Sequence, residues 1–121
     1  MATPNLINVD TITPTIKIQA VTTSRATLVD VTDEYCAKIN SLIISNIDGT
    51  NAADITVEIS VDNGSNYLAI ASTISVPADS SLTLIGKDNG FYLDESDILA
   101  VTASANSDLV AMCSYELMKD A

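Results

Sequence analysis

The stretch Ile55-Thr-Val-Glu-Ile-Ser-Val61, followed by Asp62-Asn-Gly-Ser-Asn66 and then Tyr67 to Ala71, decides the fold class. Ile55, Val57, Ile59 and Val61 alternate strictly with Thr56, Glu58 and Ser60, the period of a strand with one face buried. The Asn63-Gly64 pair tolerates the positive φ angles of a tight reversal, so the segment reads as a β-hairpin.

The same pattern runs outward in both directions. Upstream, Asp48 to Ala53 is a polar loop, and Lys38 to Ile47 is a strand with apolar residues on both faces: Ile39, Ser41, Ile43, Ser45 and Ile47 on one, Leu42 and Ile44 on the other. Such a strand belongs in the middle of a sheet. Ala26 to Val31 is a further strand, ended by the acidic turn Thr32-Asp33-Glu34. Ile16, Ile18 and Ala20 alternate with Lys17 and Gln19 in a half-buried strand, the apolar side expected to face the core.

Downstream, Ile74 and Val76 lead into the turn at Pro77, and Ser81 to Ile85, Phe91 to Leu93, Ile98 to Ala103 and Leu109 to Leu117 follow, separated by Asp88-Asn89-Gly90, Asp94 to Asp97 and Ser104 to Asp108. About eight to ten short strands with turn signals every ~8–12 residues and no helical period predict an all-β fold, an antiparallel β-sandwich of jelly-roll type without significant helix.

Residues 1–15 read differently. Pro4 and Pro14 interrupt Leu6, Ile7, Val9 and Ile12, and proline does not donate to a sheet ladder. The expectation is an extended N-terminal arm over residues 1–15 and a single β-sandwich domain over residues 16–121. Pro4, Leu6, Ile7, Val9 and Ile12 are the candidate partner-binding residues of the arm. Tyr92 joins them, because adjacent rings at Phe91 and Tyr92 point to opposite faces of a strand and the outward one is a candidate interface anchor.

Composition narrows the function. The formal charge is −11, with 5 Lys and Arg against 16 Asp and Glu, which excludes the clustered cations that phosphate neutralisation needs. Nucleic acid is not an expected partner. There is no His, so the commonest general base and the commonest transition-metal ligand are both missing. Cys36 and Cys113 lack metal-ligand or redox spacing and read as buried thiols. Asp94, Glu95 and Asp97 are dense, but the calcium-loop spacing is absent, and Asn63-Gly64-Ser65 reads as a turn. No secretory signal and no membrane-spanning stretch are evident, so synthesis in a cytoplasm and no membrane partner are expected. No catalytic residue, cofactor or metal site is expected, and the chain reads as a non-enzyme. The chain is 47% hydrophobic but only 4% aromatic and has no Trp, so its core must be filled by aliphatic side chains.

Four segments, Ser41 to Ile59, Ala71 to Leu82, Tyr92 to Asp97 and Val101 to Leu109, resemble small structural proteins of tailed bacteriophages, particularly marine and cyanobacterial ones. The resemblance covers roughly Val21 to Glu116, and its motifs are strand and turn motifs. It implies a virion component of β-sandwich fold: a capsid decoration or cement protein that bridges capsid subunits, or alternatively a tail, neck or fibre module that contacts the host surface. The implied partners are the major capsid protein or other virion proteins, together with further copies of the chain, and the implied location is the virion. Open sheet edges and the arm are the expected means of attachment.

Overall fold

The computed structural model describes residues 8–120. It contains nine strands: β1 (Val9–Val21), β2 (Ala26–Asp30), β3 (Tyr35–Asn46), β4 (Ala53–Ser60), β5 (Leu68–Val76), β6 (Ser81–Ile85), β7 (Phe91–Leu93), β8 (Ile98–Ala103) and β9 (Leu109–Asp120). A single 3-10 turn, Lys87–Asn89, is the helical element among the described residues. The fold is the expected all-β sandwich of two antiparallel sheets.

Its topology follows from nested pairing. β1 pairs with β9, β2 with β8, β3 with β6 and β7, and β4 with β5. The chain is in effect one long hairpin with its tip at residues 61–67, rolled so that successive pairs fall on alternate sheets. One sheet has the order β1-β9-β3-β6, with β7 also on β3, and the other β2-β8-β4-β5. That is a jelly roll.

Aliphatic side chains fill the space between the sheets. Ile39, Leu42 and Ile44 of β3 meet Ile55 and Val57 of β4 and Leu99 and Val101 of β8, all fully buried. Tyr35, Phe91 and Tyr115 pack at the margins of this core. The hairpin read from residues 55–71 is present as β4 and β5, and Asn63 and Gly64 take φ 58° and 88° in its loop. β3 lies between β9 and the β6/β7 pair, in the interior of its sheet.

Three local features depart from the sequence reading. First, β3 does not alternate throughout. Its register on β9 slips between Ile39 and Ser41, so Asn40 is an extra residue. This β-bulge turns the strand over, and Ile39 joins Leu42 and Ile44 in the core while Ile43 moves to the outer face. Gly90 packs against the bulge so closely that a Cβ there would lie 2.6 Å from the Ile39 carbonyl oxygen. Second, residues 9–15, expected in the arm, lie in β1, which pairs with β9 from Val9 opposite Asp120 to Val21 opposite Leu109. Pro14 is accommodated because β1 is an edge strand, where only every second N–H faces a neighbour. Third, the apolar side of β1 faces outward: Ile16 and Ile18 are 58% and 59% exposed.

Candidate assembly surface

The outer face of the β1-β9-β3-β6 sheet gathers the exposed apolar residues of β1 with others that lie far away in sequence. Register places Ile18 beside Met112, Met112 beside Ile43, and Ile43 beside Thr83. One row along, Ala20, Val110, Ser45 and Ser81 are neighbours, and on the other side Ile16, Ser114 and Ser41. The next row holds Pro14, Glu116, Lys38 and Tyr92, and the last Ile12, Met118 and Cys36, of which Ile12 is exposed and the other two are buried. Cross-strand neighbours of this kind share a face.

Of the sequence-derived candidates, Ile12 and Tyr92 therefore lie on one surface, 58% and 53% exposed. Val9 is half-buried at the start of β1. Pro4, Leu6 and Ile7 lie outside the described residues. Sequence reasoning missed Ile16, Ile18 and Met112, because it took the apolar side of β1 as the buried one.

The charge distribution sets this face apart. In the rows from Ile12 to Ala20 the charged residues are Glu116 and Lys38, opposite each other in register. Asn40 at the bulge donates to Glu116 Oε1 at 3.3 Å. Most carboxylates instead occupy the loops between strands, where Asp48, Asp62, Asp94 and Asp97 serve as turn acceptors. Asp97 accepts the Asp94 N–H at 2.8 Å, and Asp94 the Glu95 N–H at 2.8 Å. Among the described residues no three His, Cys, Asp or Glu side chains group as metal ligands would.

The sheet edges carry protection against strand addition. β1 has Pro14 and an exposed Lys17. β5, one edge of the second sheet, is broken by register shifts and by Thr73 at φ 48°, whose N–H donates to Thr56 Oγ1 at 3.1 Å. Proline, lysine and bulges are the devices that blunt edges, so the face, more than the edge, is the surface suited to association.

A smaller apolar groove of about 290 Å³ lies where the β4–β5 hairpin ends, lined by Ile59, Val61, Leu68 and Ile70 with Asp62 and Asn66 at its rim. The loop beside it is braced from within. Ser60 donates to Asp62 Oδ1 at 2.8 Å, the Asn66 N–H to the same oxygen at 2.9 Å, and Asn66 Nδ2 to Asp62 Oδ2 at 2.8 Å. These donors hold the Asp62 carboxyl at about 2, against an ordinary 3.8. A depressed value stabilises the loop above the ordinary one and is lost as pH falls through about 2. The Asn66 amide resonance is expected to titrate with that low midpoint; a midpoint at the ordinary value would refute the bracing. A local probe is needed because burial raises the Asp97 carboxyl, whose contribution to the pH dependence of stability has the opposite sign. On the outer side of the same sheet Arg25 grips Glu58 through two bonds of 3.0 and 3.1 Å and lies 4.0 Å over the Tyr67 ring.

Cys36 and Cys113 are both buried and free. They stand on neighbouring strands, but Cys36 is opposite Met118 and Cys113 opposite Leu42. That separation along the strands is roughly 15–20 Å, several times the Cα span of a disulfide. Burial pushes the Cys113 thiol up to about 12 and raises Cys36 too, with Asp94 and Asp97 adding to the shift. Both thiols are expected to stay unreactive toward an aromatic disulfide reagent until the protein unfolds, with a melting temperature indifferent to reductant. Rapid labelling of the native protein would contradict this.

No protein-family model matches the chain, and no curated protein sequence matches it. Among solved structures, a protein of the Bacillus endospore appendages, a family of disulfide-linked pili, aligns over 92% of this chain and 88% of its own with a TM-score of 0.54 and 14% identity. A pentameric capsid protein from metagenomic phage sequences aligns over 96% of this chain and 62% of its own, with a TM-score of 0.38 and 14% identity. Eiger TNF from S. frugiperda aligns over 79% and 66%, with a TM-score of 0.36 and 17% identity. The likeness to the appendage protein is one of fold; the other two superpose too loosely to bear on the argument.

Proposed function

We propose that the protein is a non-enzymatic structural component of a bacteriophage virion, and within it a decoration or cement protein that bridges capsid subunits on the head. The observation that carries this reading is the wide, nearly uncharged outer face of the β1-β9-β3-β6 sheet on a molecule of net charge −11. Apolar surface of that extent, bounded by acidic loops, is the mark of an assembly contact. The acidic loops keep free copies apart before assembly, and weak contacts repeated over a closed shell sum to a strong one. The major capsid protein is the proposed principal partner, and the virion, after synthesis in the host cytoplasm, the location.

The fold it shares with the appendage pilus protein is one that serves in an ordered polymer. Disulfide linkage between copies does not fit here, since both thiols are buried. Electron cryomicroscopy of the particle tests the proposal: density for the sandwich on the outer surface of the head is expected, and density confined to the tail would overturn the decoration role. The apolar groove beside residues 62–66 favours, as a second reading, a tail or fibre module that touches the host surface. Saturable binding of the purified domain to host cells, abolished by Leu68→Glu, would support that reading, and no binding would remove it.

A further inference from the structure

The outer face of the β1-β9-β3-β6 sheet has three properties that together specify what covers it. It is apolar at Ile12, Ile16, Ile18 and Met112. Its two charges, Lys38 and Glu116, are of opposite sign and adjacent. Glu116 is the one acidic side chain in its rows, against the many that occupy the rest of the molecule. A basic partner would be drawn to the loops between strands, where most carboxylates are, and not to this face. A copy of the chain meets the reverse situation: contact through the loops sets carboxylate against carboxylate, and contact through this face does not.

We infer that the outer face of the β1-β9-β3-β6 sheet binds the same face of a second copy of the chain, forming a two-fold symmetric dimer. The inference deepens the assembly reading above by naming the partner at that surface, and it rests on the same face being a contact. A two-fold axis parallel to the strands, between β9 and β3, lets Lys38 of one copy approach Glu116 of the partner subunit, and the reverse, so the few charges are self-complementary. The size suits a weak contact. Met118 and Cys36 in the Ile12 row are buried, so the open rows run from Pro14 to Ala20, about 20 Å, and four strands span about 19 Å, giving roughly 380 Å² of projected area per copy. The pair thus removes about 760 Å² from water before the relief of Ile12, Ile16, Ile18 and Tyr92 is counted, the range of a weak, transient association. The dimer is accordingly a modest one, strengthened by salt that screens the repulsion between two chains of −11.

Sedimentation velocity of the full chain over a concentration series, at low and moderate salt, tests this. A monomer–dimer equilibrium is expected, shifted toward dimer by salt. The double substitution Ile16→Glu/Ile18→Glu should raise the dissociation constant by about a hundredfold, roughly tenfold for each carboxylate placed in the contact. Both positions are exposed on an edge strand, so folding is preserved; Tyr92→Glu, at the far side of the face, provides an independent disruption. Leu68→Glu in the hairpin groove should leave the dimer intact. Lys38→Glu and Glu116→Lys should each weaken it, and the two together should restore it. A wild-type chain that stays monomeric overturns the second copy as the occupant, and leaves the virion reading standing with another capsid protein on this face. A dimer unaffected by the β1 and Tyr92 substitutions overturns the inference as well, by placing the contact elsewhere.

Discussion

Gly90→Ala is expected to destabilise the protein by about 2–3 kcal/mol, close to 10 °C in melting temperature for a domain of this size. The reason is contact, not backbone freedom. Gly90 has φ −66° and ψ 157°, values open to any residue, but a Cβ would stand 2.6 Å from the Ile39 carbonyl oxygen and 3.8 Å from the Asn40 Cα. Both belong to the bulge of β3. Neither can give way alone, since Ile39 is held between β7 on one side and β9 on the other. Relief therefore requires β7 to move off β3 and carry the fully buried Leu93 with it. Chemical denaturation of the purified variant checks the magnitude. Substitution of Gly49, whose Cβ would meet only the Asp79 side chain at 3.4 Å, is the matched control and should be nearly neutral.

The second large effect is expected at Asn46, one of two buried polar side chains among the described residues. Its Nδ2 donates to Val76 O at 2.9 Å and Asn51 O at 3.0 Å, and its Oδ1 accepts the Asp48 N–H at 2.9 Å. It thereby ties the end of β3 in one sheet to the end of β5 in the other. Asn46→Ala removes three bonds and strands a buried carbonyl, for an expected loss of about 3 kcal/mol. Asn46→Asp is the sharper test. At neutral pH a carboxylate cannot donate to either carbonyl, so the loss should exceed that of alanine. The new carboxyl's folded-state value is then raised, and stability should return in part as pH falls and the acid form donates one bond. Equal stability of the two variants at every pH would show that the carbonyl contacts carry no weight.

The strands were largely legible, because alternation and turn residues are local signals. Ile55 to Val61 with Asn63-Gly64 gave its hairpin without any knowledge of partners. What could not be read is relational. Ile16, Ile18 and Ala20 announce that the two sides of β1 differ, but alternation does not say which side meets the core. That depends on β9, whose residues lie about a hundred positions downstream. Pro14 hid the extent of β1 for a related reason: its cost depends on whether the strand is an edge, which is a property of the sheet. The reversal in β3 rests on one extra residue, Asn40, and nothing in its own sequence distinguishes it from an ordinary outward position. The association face was half visible, with Ile12 and Tyr92 singled out separately and their common surface revealed only by register.

The position of β9 has a consequence for how the protein comes into being. The sheet that bears the association face has β9 between β1 and β3, so its two earliest strands have no shared neighbour until residues 109–120 leave the ribosome. The β4–β5 hairpin, by contrast, closes from residues nearby in sequence, and β8 reaches it before β9 is made. Synthesis should thus yield a half-formed sheet with β1 unpaired and its isoleucines exposed, and β9 completes the sheet and the docking face in one step. Ribosome-bound chains ending before residue 109 are then incapable of pairing through that face, and association is confined to chains that carry β9.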